Sequence, residues 1–336
     1  MEDVARLAGV SRALVSLVIR DSPKVSDRAR RDVLAAAGQL GYRPNLLARN
    51  LASRQTLTIG VLLDDLHNPF FAEVANGILA AADHTDYRVL FSTGRRRPAV
   101  EAHAVEAFLE LRVDGIILVG PRLTRAAIDS SAAEVPLVAV GRTLRSKVAD
   151  TVNTDEEAGA RLAIEHLVQL GHERIAHIDG GRGAGSAPRR AAYRSAMRRA
   201  DLGRHIRIVG GDFTELSGAR AVAGLVSSGS LPTAIFAAND ISAIGALDRL
   251  GGQGLRVPQD ISLVGYDNTD LAAIHHISLT TIDQPRAEMG RLAFETLLRR
   301  IDRGRTDTVN LAVSPSLIVR KTTAPVDRRA ARSDRR

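Results

Sequence analysis

Acidic and carboxamide side chains recur in this chain at one kind of place, directly after short apolar runs. Asp64-Asp65 follow Leu57–Leu63, Asn239-Asp240 come after Ala234–Ala237, Tyr266-Asp267-Asn268 after Ile261–Val264, and Asp283-Gln284 after Leu279–Ile282. Gly141-Arg142 stand in the same relation to Leu137–Val140. Carboxylates accept hydrogen bonds from hydroxyl groups, carboxamides both donate and accept, and Phe70, Phe71 and Phe213 offer flat apolar faces for a ring to stack on. The set suits a polyol or sugar, and a purine would use the same groups. A single Asp or Asn after a strand is more often a helix cap. It is the clustering that argues for a site.

Catalytic chemistry has little to stand on. The chain has no cysteine, which excludes disulfides, thiolate nucleophiles and Cys-ligated zinc. No HExxH or GxSxG occurs, and His166 and His172 lack metal-motif spacing. His275 and His276 suit a loop surface. The run Gly180-Gly181-Arg182-Gly183-Ala184-Gly185 follows a strand, but its spacing is not that of a dinucleotide loop. No metal, no cofactor and no enzymatic activity are expected.

The elements that must carry these residues alternate regularly. Strands are predicted at Leu57–Leu63, Arg88–Phe91, Gly115–Val119, Leu137–Val140, Ile175–Ile178, Ile206–Val209, Ala234–Ala237, Ile261–Val264 and Leu279–Ile282. Helices are predicted at Phe70–Ala82, Val100–Leu111, Glu156–Leu170, Arg190–Arg199, Ala219–Ser227, Ile241–Leu250 and Arg286–Arg303, with Pro69 and Pro285 in first turns. Continuous apolar strands separated by helices indicate α/β architecture with two open parallel sheets. In such sheets a ligand sits beyond the carboxyl ends of the strands, where the topology reverses.

The first 56 residues are different. They hold ten Lys/Arg against five Asp/Glu, and residues 325–336 hold five Arg against two Asp, so the net charge of +8 sits wholly at the two ends. A basic module on a neutral body points to a polyanion partner for the module. Within it, residues 3–8 form one short helix, Ser11 caps a second running through Val18, and Ser26 or Asp27 starts a third that ends at Gly41. Two short helices joined by Gly-Val-Ser match the helix-turn-helix, whose second helix enters the major groove. Asn45 after Pro44 then opens a short amphipathic segment that is marginal as an isolated helix.

Asp3-Val4-Ala5, Ala8-Gly9-Val10-Ser11, Val15-Ser16, Val25-Ser26, Gly41-Tyr42-Arg43-Pro44-Asn45 and Leu51-Ala52 together resemble the DNA-binding head of the lac repressor/galactose repressor family. Asn68-Pro69-Phe70-Phe71, Leu170-Gly171-His172-Glu173-Arg174-Ile175-Ala176, Ala238-Asn239-Asp240, Arg256 to Asp267 and Leu279 to Pro285 resemble its two-lobed effector domain, similar to periplasmic sugar-binding proteins. The resemblance implies a homodimer that reads a near-palindromic operator in double-stranded DNA. Arg12 and Ala13 would read bases, with Arg12 suited to guanine. Ser11, Ser16, Ser26, Tyr42 and Asn45 would hold phosphates, and Arg20 and Lys24 would add backbone contacts. Leu17 stands where relatives commonly carry Arg. Ala48 and Leu51 would lie on a hinge helix in the minor groove, with Leu51 wedged into a central base step. In the body, Phe70, Phe71, Arg142, Arg189, Phe213, Asn239, Asp267 and Gln284 would line the effector pocket, Asp267 and Arg189 gripping hydroxyls.

The expected organisation is a helix-turn-helix head over residues 1–44, a hinge over 45–56, a two-lobed α/β effector and dimerisation domain over 57–324, and an Arg-rich tail over 325–336. The expected function is that of an allosteric repressor controlled by a small effector, a sugar or sugar derivative, bound between the lobes. The alternatives are a sugar-binding protein without regulatory role and a regulator that needs a purine corepressor. Hydrophobic residues at 45% and charged residues at 25% argue against disorder, and no run approaches the 18 or so apolar residues of a membrane span. Without a secretory pattern at Met1-Glu2-Asp3-Val4, a cytoplasmic, nucleoid-associated, bacterial protein is expected.

Overall fold

The structure, a computed structural model, describes residues 1–19, 22–42, 55–305 and 307–326. The chain divides into two compact units, Met1–Thr56 and Leu57–Arg336. Arg20, Asn45, Ala48 and Leu51, most of the expected hinge and the tail from residue 327 lie outside the described residues.

The first unit contains α1 (Glu2–Leu7), α2 (Arg12–Ile19) and α3 (Asp27–Gln39). Val4, Ala5, Val15, Val18, Val25, Val33 and Ala36 close a small core. Gly9, at φ +64°, makes the turn between α1 and α2. Ser11 Oγ accepts the Leu14 N–H at 3.2 Å, and Ser26 Oγ accepts the Ala29 N–H at 3.4 Å as the cap of α3. Helix α1 has no side-chain cap; Glu2 and Asp3 in its first turn instead complement the helix dipole. With so small a core, Ser26→Ala should remove about 1 kcal/mol from this unit. Calorimetry of the full chain should show its transition move down while that of the body stays; an unmoved transition would remove the cap from the stability of the head.

The second unit has two lobes, each a six-stranded sheet. The first sheet takes β1 (Thr58–Leu63), β2 (Arg88–Thr93), β3 (Gly115–Val119), β4 (Leu137–Val140), β5 (Asp150–Thr154) and β11 (Asn310–Val313), in the order β11-β5-β4-β3-β1-β2. The second takes β6 (Ile175–Ile178), β7 (Arg207–Val209), β8 (Ala234–Ala237), β9 (Ser262–Asp267), β10 (Thr280–Asp283) and β12 (Ser316–Ile318), in the order β12-β10-β9-β8-β6-β7. All pairings are parallel except that of β12 on β10. Strands β1, β3 and β4 are buried along almost their whole length, as helix layers on both faces require.

The helices are α4 (Pro69–Ala82), α5 (Pro98–Glu110), α6 (Arg125–Glu134), α7 (Glu156–Gln169), α8 (Ser186–Arg199), α9 (Glu215–Ser227), α10 (Asp240–Gly252), α11 (Asp270–Ala273) and α12 (Arg286–Arg303). Three strands and two helices, β5, β11, β12, α6 and α11, go beyond the sequence expectation. Strand β5 reads Asp-Thr-Val-Asn-Thr, too polar to be recognised as a core strand. Its Asp150 is nevertheless fully buried, because Arg300 at 3.0 Å and Arg305 at 2.5 Å neutralise it and the Val309 N–H donates to it at 2.8 Å. Helix α8 starts four residues before the expected Arg190, since Pro188 is tolerated in a first turn. Pro285 is the cap residue of α12 rather than part of its first turn.

The chain crosses between the lobes three times: from β5 to α7, from β10 to α12, and from β11 to β12. Helix α12 follows the second-lobe strand β10 but packs in the first lobe, where Met289, Ala293, Phe294 and Leu297 share a core with Ile59, Val61 and Val74. Two helix pairs cross with backbones in contact. A Cβ on Gly77 of α4 would overlap the Ala287 carbonyl oxygen; one on Gly218 of α9 would overlap that of Ser242, and one on Gly245 of α10 that of Glu215. Among the described residues, no helix is long and apolar enough to cross a membrane.

Candidate functional site

Each sheet reverses its strand order once near the middle, at β1/β3 in the first lobe and β6/β8 in the second. The carboxyl ends of these strands face one crevice between the lobes, with about 590 Å³ of space that opens to solvent. Asp64 follows β1, Gly120 and Arg122 follow β3, and Asn239 follows β8; all line it.

Local rules set each wall. Asn68 caps α4 by accepting the Phe70 N–H at 3.0 Å, which presents Phe70 and Phe71 edge to face with centroids 5.3 Å apart. Opposite them, the Gly180–Gly185 loop wraps the Phe213 ring, and a Cβ at Gly180 or Gly183 would overlap it. The glycines therefore make room for an aromatic face. Phe213 itself has φ 68°, and Asp267, at the last position of β9, has φ 114°. Such backbone costs on the order of 1–3 kcal/mol per residue, and it is held here by the structure around two side chains that face the crevice.

Arg189 is buried and bidentate to Glu156, Nε and Nη2 each donating at 2.8 Å. Its Nη1 donates to the Ala238 carbonyl, and its Cζ lies 3.5 Å from the Tyr266 ring centroid. Burial alone would lower its pKa, but the Glu156 carboxylate more than offsets this and holds it charged. Asp267, 3% exposed, accepts from Gln284 Nε2 at 2.6 Å. Burial first, and the charge of Asp240 second, push its carboxyl well up against the pull of Arg189. Gln284 sits at a crossover and also accepts from Thr154 Oγ1 at 2.6 Å, so one side chain joins the ends of β5 and β9.

Across the crevice, Arg122 Nε donates to both Asp64 oxygens at 2.8 and 3.0 Å. Behind it the fully buried Glu101 accepts the backbone N–H groups of Arg122 and Leu123, each at 2.8 Å. Burial lifts the Glu101 carboxyl to about 7. Arg96, also in the lining, reaches the second lobe, where Nη2 meets the Asp212 carbonyl at 2.5 Å and its carboxylate at 3.5 Å.

Phe70, Phe71, Arg189, Phe213, Asn239, Asp267 and Gln284 thus all line one crevice. Arg142 does not. Its guanidinium turns away to the Pro121 and Leu123 carbonyls and braces the loop after β3, which corrects its expected place in the pocket. Arg96, Arg122 and Glu156 were not anticipated. Arg122 stands at a strand end like the others, so the same rule applied to β3 would have found it, whereas nothing local marks Glu156. His275 and His276 are exposed and outside the lining. His166 bonds Thr323 at 2.9 Å and His172 bonds the Ala324 carbonyl at 3.0 Å, so both hold the end of the described chain.

On the head, Ser11, Arg12 and Ala13 are exposed along the start of α2, while Val15 and Val18 are buried. Ser16 and Leu17 are half-buried, and Leu17 packs against the head core, as does Tyr42. Lys24 and Ser26 are exposed. The Arg12–Glu2 pair at 3.2 Å is largely exposed on both sides, so it holds Arg12 only weakly.

Residues 1–45 match the model of the bacterial regulatory proteins of the lacI family, and residues 164–323 match the periplasmic binding protein-like domain. The chain is 35% identical over 324 residues to the ribose operon repressor of Haemophilus influenzae, covering 96% of this chain and 97% of that protein. It resembles the crystal structure of the lac repressor dimer bound to operator and the anti-inducer ONPF, at TM-score 0.87 and 32% identity, over 96% of this chain and 98% of that one. A lacI-family regulator from Enterococcus faecium with bound ribose matches at TM-score 0.73 and 27% identity, over 80% of this chain and all of that one. Helical head, two-lobed body and near full-length identity agree, and the chain belongs to the lacI family of bacterial regulatory proteins.

Proposed function

We propose that this chain is a dimeric transcriptional repressor whose affinity for a near-palindromic operator is set by a small carbohydrate bound in the crevice. The observation that carries the reading is the pairing of two surfaces in one chain. A basic head presents Ser11, Arg12 and Ala13 at the start of one helix, and the body gathers Arg189, Asp267, Asn239 and the rings of Phe70, Phe71 and Phe213 around one crevice. The similarity to a ribose operon repressor and to an operator-bound lac repressor dimer supports it. Arg12 supplies a bidentate contact to guanine, Ala13 a methyl-sized contact, and Ser11, Ser16, Ser26, Tyr42 and Asn45 hold phosphates. Hinge residues Ala48 and Leu51 enter the minor groove, and Arg20 and Lys24 add backbone charge.

Control is by linkage. An effector that prefers one lobe arrangement shifts operator affinity by its differential binding, typically 1–3 kcal/mol. Selection of bound duplexes from a random pool at physiological salt should enrich a palindrome with a flexible central pyrimidine–purine step. Arg12→Ala should cost about 1–3 kcal/mol and relax the preference at one base in each half-site. Salt-sensitive binding with no enriched sequence would count against the reading.

A further inference from the structure

The charges around the crevice have a pattern that restricts the effector further. Its lining contains four carboxyl groups (Asp64, Asp65, Glu156 and Asp267) and three guanidiniums (Arg96, Arg122 and Arg189). Every guanidinium already faces a carboxylate: Arg189 has Glu156 at 2.8 Å, Arg122 has Asp64 at 2.8 Å, and Arg96 has Asp212 at 3.5 Å. Several nearby backbone donors are used as well. In the glycine run, the Gly180 N–H goes to Asp179 Oδ1 at 2.8 Å, Gly183 donates to the Gly180 carbonyl and Ser186 to that of Gly183. At the starts of α4 and α10, Asn68 takes the Phe70 N–H and Asn239 that of Ser242. A loop that looks like a phosphate cradle therefore spends these amides on itself.

What is left over suits hydroxyls. Among the described residues Arg122 donates to a side chain only through Nε, leaving its Nη groups for a ligand beside the Asp64 acceptors. Arg189 commits one hydrogen from each of Nε, Nη1 and Nη2 and retains two. In both places a donor and an acceptor sit side by side, and a hydroxyl uses both at once. A phosphate dianion uses only the donor and lies next to the carboxylate.

Resting on the effector reading above, we propose that the crevice binds an uncharged polyhydroxylated ring and rejects phosphate esters of that ring, with Asp64 and Arg122 as the hydroxyl-binding pair of the first lobe. The test is calorimetric titration of the full chain with D-ribose, D-glucose and D-fructose, each beside its phosphate monoester, and with hypoxanthine. At least one free sugar should bind, with its ester weaker by about a hundredfold, the penalty of placing an unpaired charge beside a buried carboxylate. Asp64→Asn should weaken the sugar about tenfold and narrow the gap to the ester, because the repelling charge is gone. A merely structural Asp64 would weaken both ligands alike. An ester that binds as tightly as its sugar, a gap unchanged in Asp64→Asn, or hypoxanthine as the sole ligand overturns the proposal while leaving a ligand-controlled regulator standing. If nothing binds while operator binding is intact, the effector reading itself falls.

Discussion

Asp267→Ala should abolish the effector response while operator binding survives. The side chain lines the crevice from the end of β9, 3% exposed, with Gln284 Nε2 at 2.6 Å and a backbone φ of 114° that aims it there. A hydrogen bond contributes about 0.5–1.5 kcal/mol net, so the loss of two ligand hydroxyl bonds costs on the order of ten- to a hundredfold in affinity. Operator binding in the presence and absence of the sugar identified by titration reads this directly; an unchanged response would remove Asp267 from the site. The same residue leaves a signature in the ligand-free protein. Its folded pKa is raised above the ordinary 3.8, by burial and by Asp240, so the folded state holds this proton more tightly than the unfolded one. Its contribution is therefore favourable at low pH and is lost as pH rises above about 4. Asp267→Asn keeps the shape without the charge, and its melting temperature should gain on that of the unaltered protein between pH 4 and pH 8. A constant difference across that range would mean that the carboxyl titrates normally.

Gly245→Ala and Gly218→Ala should each destabilise the body by about 3 kcal/mol, at the upper end of what overpacking costs, because each added methyl meets a backbone oxygen rather than a yielding side chain. The two sites are reciprocal. Gly218 of α9 faces the Ser242 carbonyl of α10, and Gly245 of α10 faces the Glu215 carbonyl of α9. Moving the helices apart once relieves both, so the double variant should lose clearly less than the sum. Urea denaturation of the three variants tests this, and additive losses or changes within 0.5 kcal/mol would show that the crossing is not tight. Function should follow, since the Phe213 carbonyl accepts from Asn239 Nδ2 at 3.2 Å between the starts of these helices. Effector affinity should fall in the single variants, and contacts made by the head alone should not.

The fold was legible wherever burial on both faces leaves an unbroken apolar word, as in β1, β3, β4 and β8. It was illegible where a strand is buried by charge pairing across the chain. Asp150 is about 150 residues from Arg300 and Arg305, and no local pattern tells of their meeting. The crevice divides the same way. Asn239, Asp267 and Gln284 could be found because a strand end is a local event. Glu156 could not, because its role exists only through Arg189, which local sequence does not place beside it. Arg142 was misplaced for a related reason: a long side chain at a strand end has two directions open to it, and the carbonyls of Pro121 and Leu123 decided which.

The three crossings between lobes also bear on how the protein is made. The first lobe begins with β1 but completes its core with Phe294 and Leu297 of α12 and its sheet with β11, which ends at Val313. At the usual rate of synthesis, roughly 10–45 s pass between the emergence of β1 and that of α12. Throughout that interval Ile59, Val61, Val74 and Ile78 lack the helix that covers them in the finished molecule. The second lobe is better served, since β6 to β10 and α7 to α11 arrive as one continuous stretch. The lobe translated first is thus the one that waits longest for its core, and only the edge strand β12 of the second lobe emerges later.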